Sequence, residues 1–248
     1  MTRSVVITGG NRGIGRSITK SFLDAGYTVI VGARSSQDVE MLDPQRVIFH
    51  AMDVRDERAH MALAEKAIAA TGQLNAWVNN AGISAWRPIG EISEDFFDEL
   101  MGINLKGAFW GCKAAAAHMP NGGAIINISS IAGKRGSAKN AMYCATKFGM
   151  NGLTQSLAKE LGPQGIRVNA LCPVLIKTDG LMEALMTDHA PANGDPEAFL
   201  SNFLAANSAT GTLPEGADVG NMAVYLAAAE NHAVTGQCIN IDCGVFPQ

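Results

Sequence analysis

The sequence is short of charge: 17% of its 248 residues are Asp, Glu, Lys or Arg, against roughly 25% in an average chain. Nineteen basic residues face 23 acidic ones, a net charge of −4. A mildly acidic chain without a basic stripe is a poor nucleic-acid binder, because neutralising phosphates takes clustered Lys and Arg. Long hydrophobic runs are missing too. Charges or glycines interrupt every apolar stretch before about 18 residues, so no membrane-spanning helix is expected. The five cysteines (112, 144, 172, 238, 243) are odd in number and never spaced CxxC, and the histidines show no HxxxH. That excludes a disulfide framework or zinc cage, and no metal site is expected. The first residues run straight into a strand pattern with no apolar signal region. A cytoplasmic protein that binds neither membrane nor nucleic acid is the expectation.

What the chain has instead is small and apolar residues: 47% hydrophobic and 27 glycines. Short β-branched runs at 4–8, 28–32, 47–51, 76–79, 124–129, 167–171 and 238–241 alternate with helical patterns at 13–25, 58–70, 94–117, 141–161 and 215–229. Most of the strand runs are continuously apolar, as strands are when helices cover both sheet faces. Strict alternation implies right-handed βαβ crossovers and an α/β, doubly wound parallel sheet. No repeat or linker divides residues 1–248, so one domain is expected. Residues 174–213 break the rhythm with Pro191, Asn193, Gly194 and Pro196 between two short helical patterns. An insert after a strand's carboxyl end reads as a substrate lid, since open α/β sheets bind ligands at that edge.

Thr8-Gly9-Gly10-Asn11-Arg12-Gly13-Ile14-Gly15 follows the first strand and opens the first helix. Glycine permits a tight turn and close approach of backbone to a pyrophosphate, which helix N-terminal amides then favour. The spacing is GxxxGxG, so the turn alone is a weak signal. A binder of NAD usually carries an acid at the end of the second strand for the ribose 2′-hydroxyl. Here that place is held by Ala33, followed by Arg34, Ser35 and Ser36. A guanidinium grips a 2′-phosphate that a carboxylate would repel. Arg34, helped by Arg12, therefore points to NADP(H), with NAD(H) as the alternative.

Tyr143 and Lys147 stand i,i+4 on one helical face. A free tyrosine, with a pKa near 10, is a poor acid or base at neutral pH. A fixed ammonium nearby lowers that pKa toward the working range. Ser130, at the end of the fifth strand, is placed to hydrogen-bond a substrate oxygen from the other side.

Thr8–Gly15, Asn79-Asn80-Ala81-Gly82, Asn104, Ser130, Tyr143xxxLys147 and residues 169–178 occur in the order and spacing of the short-chain dehydrogenase/reductase family. Over nearly its whole length the chain resembles the branch of about 250 residues, similar to 3-oxoacyl-carrier-protein reductases. The resemblance implies a Rossmann-type sheet with Tyr143 as general acid in reduction and base in oxidation. It implies that Lys147 lowers the tyrosine's pKa and holds the nicotinamide ribose, that Ser130 polarises the carbonyl, and that Asn104 positions a relay water. Cofactor contacts are implied at Gly9, Asn11, Arg12, Gly13, Ile14, Gly15, Arg34, Ser35, Asp53, Val54, Asn80, Ala81, Gly82, Pro173, Ile176 and Thr178. Asp53 and Val54 would meet adenine, and Thr178 the carboxamide. The family's Pro-Gly is replaced by Pro173-Val174, and its Asp-Gly-Gly by Asp242-Cys243-Gly244. Both departures are clues to substrate.

The substrate pocket is expected from Ser130, Tyr143, Trp86, Arg87 and the lid side chains Leu181, Met182, Leu185, Met186, Phe199 and Phe203, with His189 as a polar exception. Lys134, Arg135 and Lys139 form a small basic cluster near the serine that could steer an anionic substrate. The expected reaction is reduction of a ketone or 3-oxoacyl carbonyl by NADP(H). The alternatives are oxidation of a sugar, polyol or hydroxy acid, and a non-catalytic cofactor-binding protein. Small residues at Ala114–Ala117, Ala145, Gly149 and Gly152, beside Phe148, suit close helix–helix approach. With the resemblance, they imply a homotetramer or homodimer.

Overall fold

The computed structural model describes residues 2–36, 39 and 42–247. Seven strands form one parallel sheet: β1 (Ser4–Thr8), β2 (Thr28–Ala33), β3 (Val47–Ala51), β4 (Ala76–Asn79), β5 (Gly123–Ile128), β6 (Ile166–Pro173) and β7 (Cys238–Ile241), in the order β3-β2-β1-β4-β5-β6-β7. The helices are α1 (Gly13–Asp24), α2 (Glu57–Thr71), α3 (Glu94–Leu100), α4 (Gly107–Ala117), α5 (Ala141–Leu161), α6 (Asp179–Leu185), α7 (Pro196–Asn207) and α8 (Gly216–Ala227). Each strand run expected from the sequence is present to within two residues at either end. This is a Rossmann-like fold.

Side-chain alternation along the strands explains their unbroken apolar reading. Val5 and Ile7 join Val29, Val31, Val78 and Ile126 on the face covered by α1 and α8, through Ile18, Phe22, Val219 and Leu226. Val6, Ile30, Trp77, Ile125 and Val168 face the other way, under α2, α4 and α5, with Leu63, Ala67, Cys112, Ala115 and Leu161. A strand buried on both faces needs an apolar residue at every position. Residues 174–213 carry a smaller apolar cluster of their own around Leu185, Ala190, Ala192 and Leu200.

The helical pattern at 94–117 is not one helix. Between α3 and α4 lies a π-helical segment, Met101–Lys106. Two interactions favour the extra residue. Asn104, fully buried, donates its amide to the Ile83 carbonyl (2.9 Å) and accepts from the Ile83 amide (2.8 Å). Gly107 lets the helix close on the 53–55 loop, where a Cβ would lie 3.1 Å from the Val54 carbonyl. π-bulges re-aim side chains in this way and concentrate at functional sites.

Under α4 lies a buried polar chain. Trp77 Nε1 donates to Asn79 Oδ1 (2.7 Å), Asn79 Nδ2 to Asn127 Oδ1 (2.9 Å), and Asn127 Nδ2 to Thr154 Oγ1 (2.9 Å). Gly111 packs directly on it, and an added Cβ would collide with Asn79 Oδ1 and stand 2.7 Å from Trp77 Nε1. Ala exceeds Gly in helix propensity by about 1 kcal/mol, whereas overpacking a buried site costs about 1–3 kcal/mol. Gly111→Ala should therefore lower the urea midpoint, and an unchanged or raised midpoint would contradict this packing.

Candidate active site

The strand order reverses between β1 and β4, so the chain leaves these neighbours in opposite directions and a crevice opens beyond their carboxyl ends. The glycine turn and the Asn79–Gly82 segment meet there. Asn80 Nδ2 donates to the carbonyls of Thr8 (3.0 Å) and Gly9 (3.1 Å), and Thr8 Oγ1 accepts from the amides of Asn80 (3.1 Å) and Ala81 (3.2 Å). Gly9 has φ +65°, a left-handed conformation that favours glycine. Gly15 has no room for a Cβ, which would strike the Gly9 carbonyl oxygen and Asn80. Gly13, at φ +52°, faces open space whose nearest wall is the Thr178 side chain at 3.7 Å. The extended Arg12 precedes α1, no side chain caps its N-terminus, and its first turn holds no acid. Uncapped amides above a bare glycine wall suit an anion, and the cradle fits a dinucleotide pyrophosphate. Ile14, on the first turn of α1, packs half-buried against the core.

At the end of β2, Arg34 and Ser35 are exposed, and Asn11 Nδ2 reaches the Ser35 carbonyl (3.4 Å), tying the glycine turn to that strand end. Just after the neighbouring β3, Arg55 holds the Asp53 carboxyl below its ordinary range by hydrogen bonding, with the Arg34 charge a further cause. Val54 beside it is buried. Arg34, Ser35, Asp53 and Val54 thus stand together past the ends of the adjacent strands β2 and β3, on one side of the crevice.

Ser130, Tyr143 and Lys147 gather at the other end. Ser130 follows β5, its Oγ accepting from the Ala132 amide (3.0 Å). Gly133 lets the short turn at Ile131–Gly133 seat on α5, where a Cβ would stand 2.7 Å from the Lys147 carbonyl. Tyr143 lies on the first turn of α5 and Lys147 one turn further. Lys147 is buried, donates Nζ to the Ile128 carbonyl (2.8 Å), and lies 5.6 Å from the Tyr143 ring centroid. Gly82 closes the arrangement: a Cβ there would be 3.2 Å from Asn104 Oδ1 and 3.8 Å from Lys147 Nζ.

One expectation needs correction in this geometry. The Tyr143 hydroxyl has its pKa raised, chiefly by burial, and the group that opposes the rise is Ser130, not Lys147. The ammonium sits beside the ring and donates to a backbone carbonyl, and desolvation prevails at the hydroxyl. The Asn104 side chain holds Ile83 with both ends of its amide and makes a further bond to Thr146 Oγ1 (3.3 Å). It ties the 83 segment to α5.

On the substrate side, Trp86 is only 8% exposed and is embedded in the apolar cluster of residues 174–213, with Met182 and Leu181 packed beside it. Thr178 N-caps α6, accepting from the Leu181 amide (3.3 Å). Pro173 and Ile176 are buried, with Ile176 in the main core. Val174 donates its amide to the Ile241 carbonyl (3.1 Å) and is half-buried. His189 pairs with Glu91 (3.0 Å), joining this segment to the short turn after Trp86. The basic cluster is turned largely to packing: Lys134 donates to the Cys238 carbonyl (2.6 Å) and Arg135 covers the Phe246 ring, while Lys139 is exposed. Cys243 has φ +52°, so the position where the family often has glycine keeps the left-handed backbone. Among the described residues no group of three His, Cys, Asp or Glu side chains is placed to hold a metal ion.

A dinucleotide crevice at the switch point with a serine, tyrosine and lysine at its far end defines an oxidoreductase of the nicotinamide-dependent kind. Residues 3–188 match the family described as short chain dehydrogenase, and the chain belongs to that family, whose enzymes act on CH–OH and C=O groups with NAD(P). It is 33% identical over 249 residues to a diacetyl reductase [(S)-acetoin forming] of Staphylococcus aureus, covering 97% of this chain and 96% of the relative. It is 34% identical over 255 residues to the 3-oxoacyl-[acyl-carrier-protein] reductase FabG of the same species, covering 99% of each. The solved structure "ElxO with NADP Bound" superposes with a TM-score of 0.88 at 30% identity, covering all of both chains.

Burial pushes the Lys147 pKa down to about 8 from 10.5. Between those values the unfolded chain binds more protons than the folded one, so folding stability rises with pH across that window. Lys147→Met lacks this gain. Its denaturant midpoint should fall relative to the parent as pH climbs from 8 to 10; a pH-independent difference would show the lysine is not depressed.

Proposed function

We propose that the protein is an NADP(H)-dependent reductase that converts a ketone or 3-oxoacyl-type carbonyl to a secondary alcohol. The observation that carries this reading is the gathering of Ser130 and Tyr143 at one end of the crevice with buried Lys147 one turn further along α5: two O–H donors meet where a carbonyl oxygen would lie, and the phenol has a proton to give. Bound in the crevice, the nicotinamide supplies the hydride. Ser130 and Tyr143 donate hydrogen bonds to the carbonyl oxygen, and these strengthen as negative charge grows there. Tyr143 then gives up its proton to the alkoxide. Lys147, depressed by burial, gains a partner in the nicotinamide ribose hydroxyls, and a nearby positive charge makes the departing proton easier to lose.

The cofactor is held by the turn at Gly9, Asn11, Arg12, Gly13, Ile14 and Gly15, by Asp53 and Val54 at adenine, and by Asn80, Ala81 and Gly82 along the crevice. Pro173, Ile176 and Thr178 close the nicotinamide end, with Thr178 on the carboxamide. Arg34 and Ser35 take the 2′-phosphate. Exposed Arg34 with no acid at Ala33 supports NADP(H) over NAD(H), as does the NADP-bound relative. Asn104 supports the site by bracing Ile83 against α5. Residues 174–213 serve as the lid of a single domain, with Trp86 and Met182 shaping the carbonyl pocket from within the lid's own cluster. Identity near one third to two reductases of unlike substrates supports the class of reaction more than any one substrate.

The reading is tested with NADPH and NADH against diacetyl, acetoacetyl thioesters and galactose, following nicotinamide absorbance. NADPH-dependent carbonyl reduction is expected. Tyr143→Phe should lower turnover by about 10²–10⁴-fold while NADPH affinity stays within twofold, and Arg34→Asp should shift preference toward NADH. Faster oxidation of galactose than reduction of either carbonyl, or full activity in the Phe variant, would overturn it.

We also propose a homotetramer, or a homodimer, built on the outer faces of α3, α4 and α5. Phe97, Phe109 and Phe148 are each more than 40% exposed there, and Trp110, Leu105 and Leu153 line a groove of 1110 Å³ between them. Ala114 and Ala115 do not belong to that face; they are buried in the chain's own core. Five free cysteines support a reducing, cytoplasmic setting. Light scattering should show a stable oligomer, and a monomer at micromolar concentration would defeat this assignment.

A further inference from the structure

His60 is a fully buried titratable side chain that neither the fold nor the reaction obviously needs. It sits on the first turn of α2, its ring 6.0 Å from that of Trp77, and its Nε2 is 2.8 Å from the Val54 carbonyl oxygen. A carbonyl only accepts, so Nε2 carries the hydrogen and donates; Nδ1 is left with a bare lone pair. Nδ1 is buried without a partner. Burial pushes the imidazole's pKa down, against the Val54 bond and the Asp56 charge, which keeps the ring neutral. A core filled for packing alone would not retain a half-satisfied imidazole, since an unpaired buried polar atom costs stability.

The carbonyl it holds is gripped from a second side. Gly107 of α4 approaches so closely that a Cβ would stand 3.1 Å from the Val54 oxygen and from its Cβ and Cγ2. On either side of Val54 the loop is pinned again: Asp53 accepts from the Arg55 amide (2.9 Å) and side chain, and Asp56 caps α2 at the Arg58 amide (2.9 Å). Val54 is therefore set between α2 and α4, with its buried side chain directed by its own clamped carbonyl.

We propose that His60 is a positioning residue for the cofactor site, which holds the Val54 carbonyl so that the Asp53–Val54 segment presents a preformed wall to adenine. The inference rests on the reading above that Asp53 and Val54 meet adenine. Without the Nε2 hydrogen bond the wall is free to shift, and the ordering is charged to cofactor binding. The loss falls on the adenine half, far from Ser130 and Tyr143.

The test compares the parent with His60→Phe, which keeps a ring and loses the donor, and His60→Gln, whose amide restores a donor at similar reach. Affinities are measured for NADPH and for adenosine 2′,5′-bisphosphate, which lacks the nicotinamide half. Loss of one buried hydrogen bond predicts about 5- to 30-fold weaker binding of both probes, by the same factor, in His60→Phe. His60→Gln should return both to within about threefold of the parent. Gly107→Ala, pressing on the same carbonyl from α4, should weaken both probes in the same way and keeps the idea testable if the Phe variant does not fold. Parent-like affinity in His60→Phe and Gly107→Ala, or weakening of NADPH alone, would overturn the positioning role while leaving the cofactor assignment standing. A parent that binds neither probe would overturn the cofactor assignment itself, and the inference with it.

Discussion

The amide of Asn80, donating to the carbonyls of Thr8 and Gly9, sets the distance between the ends of β1 and β4, and the crevice is built outward from that bond pair. Thr8 returns the contact through its hydroxyl, so the two strand ends are stitched in both directions. Because the stitch brings backbone against backbone, Gly15 can carry no side chain and Gly9 must take a left-handed turn. The N-terminus of α1 then points its uncapped amides at one fixed place. The placing of those amides follows from that approach, and no charged side chain takes part in the stitch itself.

From this hinge the site extends along two routes of different character. Toward the ends of β2 and β3 the route is polar and exposed, with Arg34, Ser35 and the Asp53–Arg55 pair at the rim and Val54 clamped beneath. Toward Ser130, Tyr143 and Lys147 it is buried and poor in charge. Tyr143 is raised and Lys147 depressed by the same cause, removal from water, and neither compensates the other across the helical turn that separates them. That leaves a protonated phenol and a lysine held by a carbonyl, a pair whose states a bound cofactor can change.

The regular parts of this arrangement were legible because they are periodic or contiguous. Both-face burial forces unbroken apolar strands, and helix spacing alone places Tyr143 and Lys147 on one side of α5. The Gly-Gly-Asn-Arg-Gly-Ile-Gly turn could be read because glycine is demanded by backbone contact, which leaves a mark in residue type. Other features left no such mark. The π-helical segment at Met101–Lys106 depends on Asn104 reaching Ile83, a contact made 21 residues away. Ile128 holds Lys147 through a carbonyl that every residue possesses, and Trp86, read as a wall of the pocket, is drawn into the core of residues 174–213.

The sequence by itself determined the order of strands and helices, the glycine turn, the absence of an acid at Ala33 and the spacing of Ser130, Tyr143 and Lys147, since each is written in local residue type. Only the tertiary structure decided how those groups behave. Desolvation reversed the expected effect on Tyr143, packing removed Ala114 and Ala115 from the outer face of α4, and the 2.8 Å approach to Val54 turned His60 from a core residue into a clamp. Solvation and distance are properties of the surroundings, and those exist only once the chain has folded.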